Sequence, residues 1–234
     1  MTDERYLRET RMLDYSSPLI ERLVREMGWM DQGEAERVKS IYLFIRDEIL
    51  FGYNSDDSLS ASKVLFDGYG QCNTKATLFM TLLRTCLIEC RIHGFTIDKR
   101  LQNGAMTGFV YLLAPWKVFH SWVEVRIGGL WYSLEGIILD KVYLDKLQKK
   151  FSSVTGSFTG YGVAVKDFRN PPVDFNLNDT YIQSEGINCD FGVYDSPDEL
   201  LEKHHQNMSL LKAFVHRNIE RHLMNRNVKR IRKG

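Results

Sequence analysis

No stretch of this sequence stays apolar for the roughly 20 residues that a helix needs to cross a bilayer. Residues 1–10 hold no apolar signal core either, so a cytoplasmic location is the expectation. Charge of one sign is missing as well. The chain has 31 basic and 30 acidic residues, a net +1, too little for a whole-molecule field that would steer nucleic acid or an anionic membrane. Cysteine is sparse: Cys72, Cys86, Cys90 and Cys189 read as free thiols in a cytosolic chain, not as a disulfide framework. Cys86 and Cys90 have His93 nearby but no fourth ligand at a sensible spacing, so they read as small core residues and not as a zinc site. Residues 53–58 are acidic but lack the spacing of a calcium loop. Neither cofactor nor metal is expected. Repeats and low-complexity segments are absent too.

What remains is an ordinary globular composition, 44% hydrophobic and 26% charged over 234 residues, enough for one sizeable core. A single domain over 1–234 is expected. Ser17 and Pro18 open a helix with Leu19, Ile20, Leu23 and Val24 on its apolar stripe, fading at Gly28. A second helix spans 33–50 and buries Val38, Ile41, Tyr42 and Ile45. Residues 52–61 are a loop. Gly68 and Gly70 mark a tight turn before a helix over 73–87 that is apolar nearly all round, which places it mid-domain. Strands are expected over 91–97, 118–127, 130–135 and 161–165, with a long insert at 98–117. Residues 152–195 read as irregular, broken at Pro171-Pro172. Ser196 and Glu199 form a capping box on a helical extension over 196–226. Its stripe of Leu210, Leu211, Phe214, Val215, Ile219 and Leu223 should dock on the core, and a basic tail follows.

The chemistry starts at Cys72, which the glycine turn places at the N-terminus of the central helix. Helix dipole and free N–H groups there favour a thiolate and stabilise an oxyanion. In the run from Phe119 to Ile127, strand alternation puts His120, Trp122, Glu124 and Arg126 on one face. Gly128-Gly129 then signals a two-residue hairpin. The register follows: Ile127 pairs with Leu130, Arg126 with Trp131, and so on to Trp122 with Glu135. Cross-strand partners share a face, so Glu135 is the diagonal neighbour of His120. A carboxylate on one imidazole nitrogen leaves the other to take a thiol proton. Asp140 is the alternative acid, and Glu124 ranks third.

Gly70-Gln71-Cys72 at a helix start, followed by Leu82-Leu83-Arg84, resembles the nucleophile motif of the transglutaminase-like superfamily. The run His120-Ser121-Trp122-Val123-Glu124-Val125 is similar to its histidine strand. Trp131-Tyr132-Ser133-Leu134-Glu135 resembles its acid strand. Together the motifs cover about residues 60–145. The resemblance implies an α+β, papain-like core, with a central Cys-bearing helix packed on an antiparallel sheet and extra helices at both ends (17–50 and 196–226). It implies a Cys72–His120–Glu135 triad. The family usually carries Asp, often followed by Pro, where this chain has Glu135 and Gly136. The zinc-binding cysteine pairs of the related peptide N-glycanases are missing, and no calcium site of the animal transglutaminase kind is seen.

The expected activity is acyl transfer or hydrolysis at amide or thioester bonds through an acyl-enzyme, with a peptide, protein or small amide or thioester as substrate. Besides the Cys72 N–H, candidates for oxyanion or substrate contacts are Gln71, whose side chain could equally brace the turn, Tyr69 and Trp122. The 98–117 insert should line or cover the cleft. The alternative is a binding or scaffolding module that keeps the fold without the chemistry. A membrane is not an expected partner. Nucleic acid is not expected either, since the basic tail reads first as a solvated helix face. His204 and His205, adjacent on a helix, would make a poor chelating pair.

Overall fold

Pro18 occupies the first position of helix α1 (Pro18–Met27), where its missing N–H costs nothing, and Gly28 ends the helix in the left-handed conformation at φ 64°. The computed structural model describes residues 3–204 and 219–234. Helix α2 (Glu34–Asp47) buries Val38, Ile41, Tyr42 and Ile45, the face the periodicity predicts. It stops short of Leu50, which belongs to strand β1 (Leu50–Phe51). Helix α3 (Ala61–Asp67) turns through Gly68, at φ 70°, into β2 (Tyr69–Gly70), which runs parallel to β1. Helix α4 (Cys72–Thr85) follows, and every residue from Asn73 to Arg84 is buried. A helix buried all round needs neighbours on every side. It has α1, α2 and α3 on one side and the main sheet on the other.

That sheet holds β3 (Cys90–Asp98), β4 (Lys117–Ile127), β5 (Leu130–Leu134) and β8 (Ile187–Tyr194), in the order β5-β4-β3-β8 with all neighbours antiparallel. Between β3 and β4 the insert forms a 3-10 turn (Lys99–Gln102) and the short helix α5 (Gly108–Leu113). Gly128 and Gly129, at φ 56° and 86°, make the two-residue turn whose twist suits a hairpin. The register runs from Ile127↔Leu130 to Val123↔Leu134, the one deduced from that turn. After β5, Asp140 caps α6 (Lys141–Lys150). The architecture is α+β, with the Cys-bearing helix packed on an antiparallel sheet.

Two expectations fail. Residues 152–195 are not irregular outside the strand expected over 161–165: that strand, β7 (Val163–Val165), pairs with β6 (Phe158–Gly160) in a hairpin, and the edge strand β8 follows. The pairing of β8 with β3 shifts twice, at Gly94/Phe95 and Thr96/Ile97, and Gly192 sits at φ 82°. Such bulges erase the alternation by which a strand is recognised.

The C-terminal extension is not one helix. Helix α7 (Pro197–Lys203) ends with His204 extended. Leu210, Leu211, Phe214 and Val215 lie outside the described residues, as does His205. Ile219 and Leu223 are exposed, at 53% and 50%. The docked face belongs instead to α8 (Arg221–Lys233), through Met224, Val228 and Ile231, and α8 packs against α6. The basic tail is therefore part of a seated helix. Among the described residues, no helix is long and apolar enough to cross a membrane.

Candidate active site

The turn before α4 is built without slack. A Cβ on Gly70 would lie 2.7 Å from Thr74 Oγ1 and 3.0 Å from Lys75 Cγ, so only glycine fits. The Gln71 backbone N–H donates to Thr74 Oγ1 (3.1 Å), and Thr74 Oγ1 donates to Asn54 Oδ1 (2.7 Å). The Gln71 side chain is committed at both ends: Oε1 accepts from the Asn54 N–H (2.8 Å) and Nε2 donates to Asp57 Oδ1 (2.9 Å). It braces the 54–57 loop. Tyr69 pairs with Leu50, and its ring lies against Gly52. Cys72 is left half-buried as the first residue of α4, where a backbone N–H has no partner within the helix.

His120 and Glu135 are both wholly buried and meet at 2.7 Å, imidazole Nε2 to carboxylate Oε1. The second oxygen of Glu135 accepts from two backbone N–H groups, Ile182 (2.8 Å) and Gln183 (2.9 Å). The acid's own backbone N–H donates to the Thr180 carbonyl (3.0 Å), and the N–H of Gly136 donates to Thr180 Oγ1 (3.1 Å). Gly136 allows this closeness, since a Cβ there would stand 2.2 Å from the Tyr42 hydroxyl. Ser121 Oγ donates to Asn73 Oδ1 (2.9 Å), which ties the residue after His120 to the residue after Cys72.

His120 Nδ1 is buried and, among the described residues, has no hydrogen-bond partner. Burial works against a charged ring, but Cys72 first and Glu135 second outweigh it, and the pKa of His120 is raised to about 10. Cys72 thus acts on the ring although its sulfur makes no regular hydrogen bond to Nδ1. Loose geometry of that kind is common in a site without substrate. Elsewhere burial pushes thiols up: Cys90 is raised and Cys86 stands at about 11, so both are poor nucleophiles.

The other acids are engaged elsewhere. Asp140 caps α6, accepts from the Phe51 N–H (3.0 Å) and is paired with Arg232. Glu124 binds Arg91 and His93. Trp122 packs on Phe95, with ring centroids 4.0 Å apart, and its Nε1 is buried with no hydrogen-bond partner among the described residues. Among the described residues, no group of three His, Cys, Asp or Glu side chains could hold a metal ion. Sequence reasoning missed Tyr53, assigned only to a loop. It is buried, donates to Gln102 Oε1 of the insert (2.8 Å), and Cys72 adds to burial in raising its pKa. The alternation of Phe51 with Tyr53 was a signal for burial, but not for the nearness of Cys72.

The arrangement suits nucleophilic chemistry: a half-buried thiol at a helix N-terminus, and an imidazole with one nitrogen anchored and the other unpartnered. No curated protein sequence matches the chain. Among solved structures it is similar to a provisionally named cysteine protease of Cytophaga hutchinsonii, with 15% identity, a TM-score of 0.47, and coverage of 83% of this chain and 47% of that one. It is also similar to red sea bream transglutaminase, with 16% identity, a TM-score of 0.38, and coverage of 58% and 32%. The chain thus spans about half or less of the length of these structures. The model of the transglutaminase-like superfamily matches residues 21–136, which contain Cys72, His120 and Glu135 and close on Gly136. The chain is a transglutaminase-like domain protein.

Proposed function

We propose that this chain is a cysteine acyl-transfer enzyme acting on amide bonds, in peptides or glutamine side chains, or on thioesters. The observation that supports this reading best is the state of His120: Nε2 anchored to Glu135, Nδ1 buried and unpartnered, and the ring under the influence of Cys72.

The Cys72 thiol gives its proton to Nδ1, and Sγ attacks the carbonyl carbon. The C–S bond forms as the carbonyl π pair moves to oxygen, where the N–H of Cys72 stabilises it. When that pair returns, the bond to the leaving amine or thiol breaks, and the leaving group takes the proton from Nδ1. Water or a second amine then attacks the thioester, gives a proton to Nδ1, and regenerates the thiol as product leaves. Glu135 keeps the ring in one orientation and stabilises its charged form. The insert borders this site through the contact of Gln102 with Tyr53, which supports a role for residues 98–117 in lining the cleft.

The test is alkylation of Cys72 by iodoacetamide at pH 6, followed by mass spectrometry at the residue, in the native chain and in His120→Ala. We expect the variant to react at least about tenfold more slowly. Equal rates would overturn the reading and favour a non-catalytic binding module.

A further inference from the structure

Helix α8 stands away from the β1–β2 pair and leaves a groove of about 1160 Å³ between them. Along the helix wall run Arg226, Lys229, Arg230 and Lys233, all exposed. Arg226 and Lys233 each stand three or four residues from both Lys229 and Arg230, which keeps the four on one side of the helix. Among the described residues, no carboxylate pairs with any of the four. Arg230 bonds only the neutral amide oxygen of Asn227 (2.9 Å). Arg232, also in the lining, is different: it is bound to Asp140.

The facing wall is mostly uncharged. Its one carboxylate from that side, Asp67, is paired with Lys63. Leu50 and Leu223 contribute exposed aliphatic surface, at 39% and 50%. Glu220 also lines the groove, but it is buried and engaged. The groove is thus a row of exposed cations, none paired with a described carboxylate, beside an aliphatic strip.

We infer that this groove binds an acidic polypeptide segment in which carboxylates alternate with aliphatic side chains. Carboxylates would meet the α8 cations, and the aliphatic groups would cover Leu50 and Leu223. A single-stranded nucleic acid fits less well, because it needs open aromatic faces on which bases stack. The Tyr69 ring, in the groove wall, is covered by Gly52 on one side. The volume exceeds what most small-molecule ligands fill, which favours a chain segment. The place also has a consequence. Gly52 and Tyr69 line the groove, and each runs directly into the candidate active site, at Tyr53 and at Gly70-Gln71-Cys72. Asn225 of α8 clasps Tyr53, accepting its N–H (2.7 Å) and donating to its carbonyl (2.9 Å). A segment held in the groove therefore lies beside the turn that carries Cys72.

Binding can be measured without turnover, so its outcome is independent of the acyl-transfer reading. The full chain carrying Cys72→Ala is titrated against a fluorescent peptide of alternating Glu and Leu, with the Gln-for-Glu peptide and a short single-stranded RNA as competitors. Anisotropy reads the binding, and thermal melting checks the variants. We expect the acidic peptide to bind, to weaken as salt rises, and to lose at least about tenfold in affinity in the double variant Arg226→Glu, Lys229→Glu. Both side chains are exposed, so the fold should be unaffected. Equal binding by the double variant, equal binding of the Gln peptide, or tighter binding of the RNA would each overturn the inference.

Discussion

Glutamate at position 135 carries one methylene more than the aspartate usual in this superfamily, and its contacts use that length. One oxygen reaches His120 while the other reaches the N–H groups of Ile182 and Gln183. Aspartate would draw the carboxylate back by about 1.5 Å, and one set of partners would then be left unsatisfied in a dry interior. The parity of the Gly128-Gly129 hairpin made Glu135 legible in the sequence. Its holders were not legible, because they are backbone N–H groups 47 and 48 residues away and carry no side-chain signature. A titration follows from the charge. His120 is held at about 10 by Cys72 and Glu135 against burial, so removing one negative neighbour must lower it. NMR of histidine-labelled protein should show the His120 midpoint near pH 10 and a fall of about one unit or more in Glu135→Gln. Glu135→Asp should fall between the two. An unmoved midpoint in Glu135→Gln would mean that the carboxylate does not stabilise the imidazolium.

At the scale of elements, α4 is joined to its surroundings by a buried lysine. Lys75 is wholly buried, and its Nζ donates to the carbonyls of Arg46 (3.2 Å) and Ile138 (3.1 Å). The first belongs to the last turn of α2, where carbonyls lack intrahelical partners, and the second to the turn that follows Glu135. One ammonium thus fastens three elements. Burial is the main cause that lowers its pKa from 10.5 to about 7. Between those values the unfolded chain holds a proton that the folded chain lacks, so the contribution of Lys75 to stability rises with pH, by up to about 1.4 kcal/mol per unit. His120 acts in the opposite sense. Its folded value is the higher one, so its contribution is full below about 6.5 and is lost as pH rises towards 10. The two slopes offset each other in the native chain. Urea unfolding of native and Lys75→Met proteins separates them: the difference in unfolding free energy should change steadily in favour of the native chain from pH 7 to pH 10. A constant difference would place the lysine in its charged form throughout. Helices α1, α2 and α4 and the central hairpin were legible because their apolar periods are unbroken. Strand β8 was not, since its glycines and two register shifts remove the period that marks a strand.

The whole molecule is closed by helix α8, and little in the sequence warned of it. The residues that seat α8 are spaced as Met224, Val228 and Ile231 among many cations, which read first as a solvated face. Several polar contacts of α8 fall on segments far apart in the chain. Asn225 takes the backbone of Tyr53, Asn227 Nδ2 donates to the carbonyls of Gly104 (2.7 Å) and Ala105 (2.8 Å), and Arg232 donates to the carbonyl of Phe51 (2.6 Å) and to Asp140. The loop beside Cys72, the insert and the turn after the acid strand are thereby held by one element. Asp140 is the most exacting of these partners. It is 1% exposed; burial would raise its pKa, but Arg232 foremost, with the N–H groups of Phe51 and Tyr143, outweighs burial and holds it below the usual 3.8. Its contribution to stability is therefore present above about pH 4 and lost as pH falls. Arg232→Ala would leave a buried carboxylate without its cation, at a cost of about 3–5 kcal/mol at pH 7. In the variant burial dominates and Asp140 takes up its proton more readily. The gap between native and variant proteins in urea unfolding should thus be largest at neutral pH and shrink towards pH 3. A gap that stays constant with pH would mean that Arg232 acts by packing alone, with Asp140 satisfied by its backbone donors.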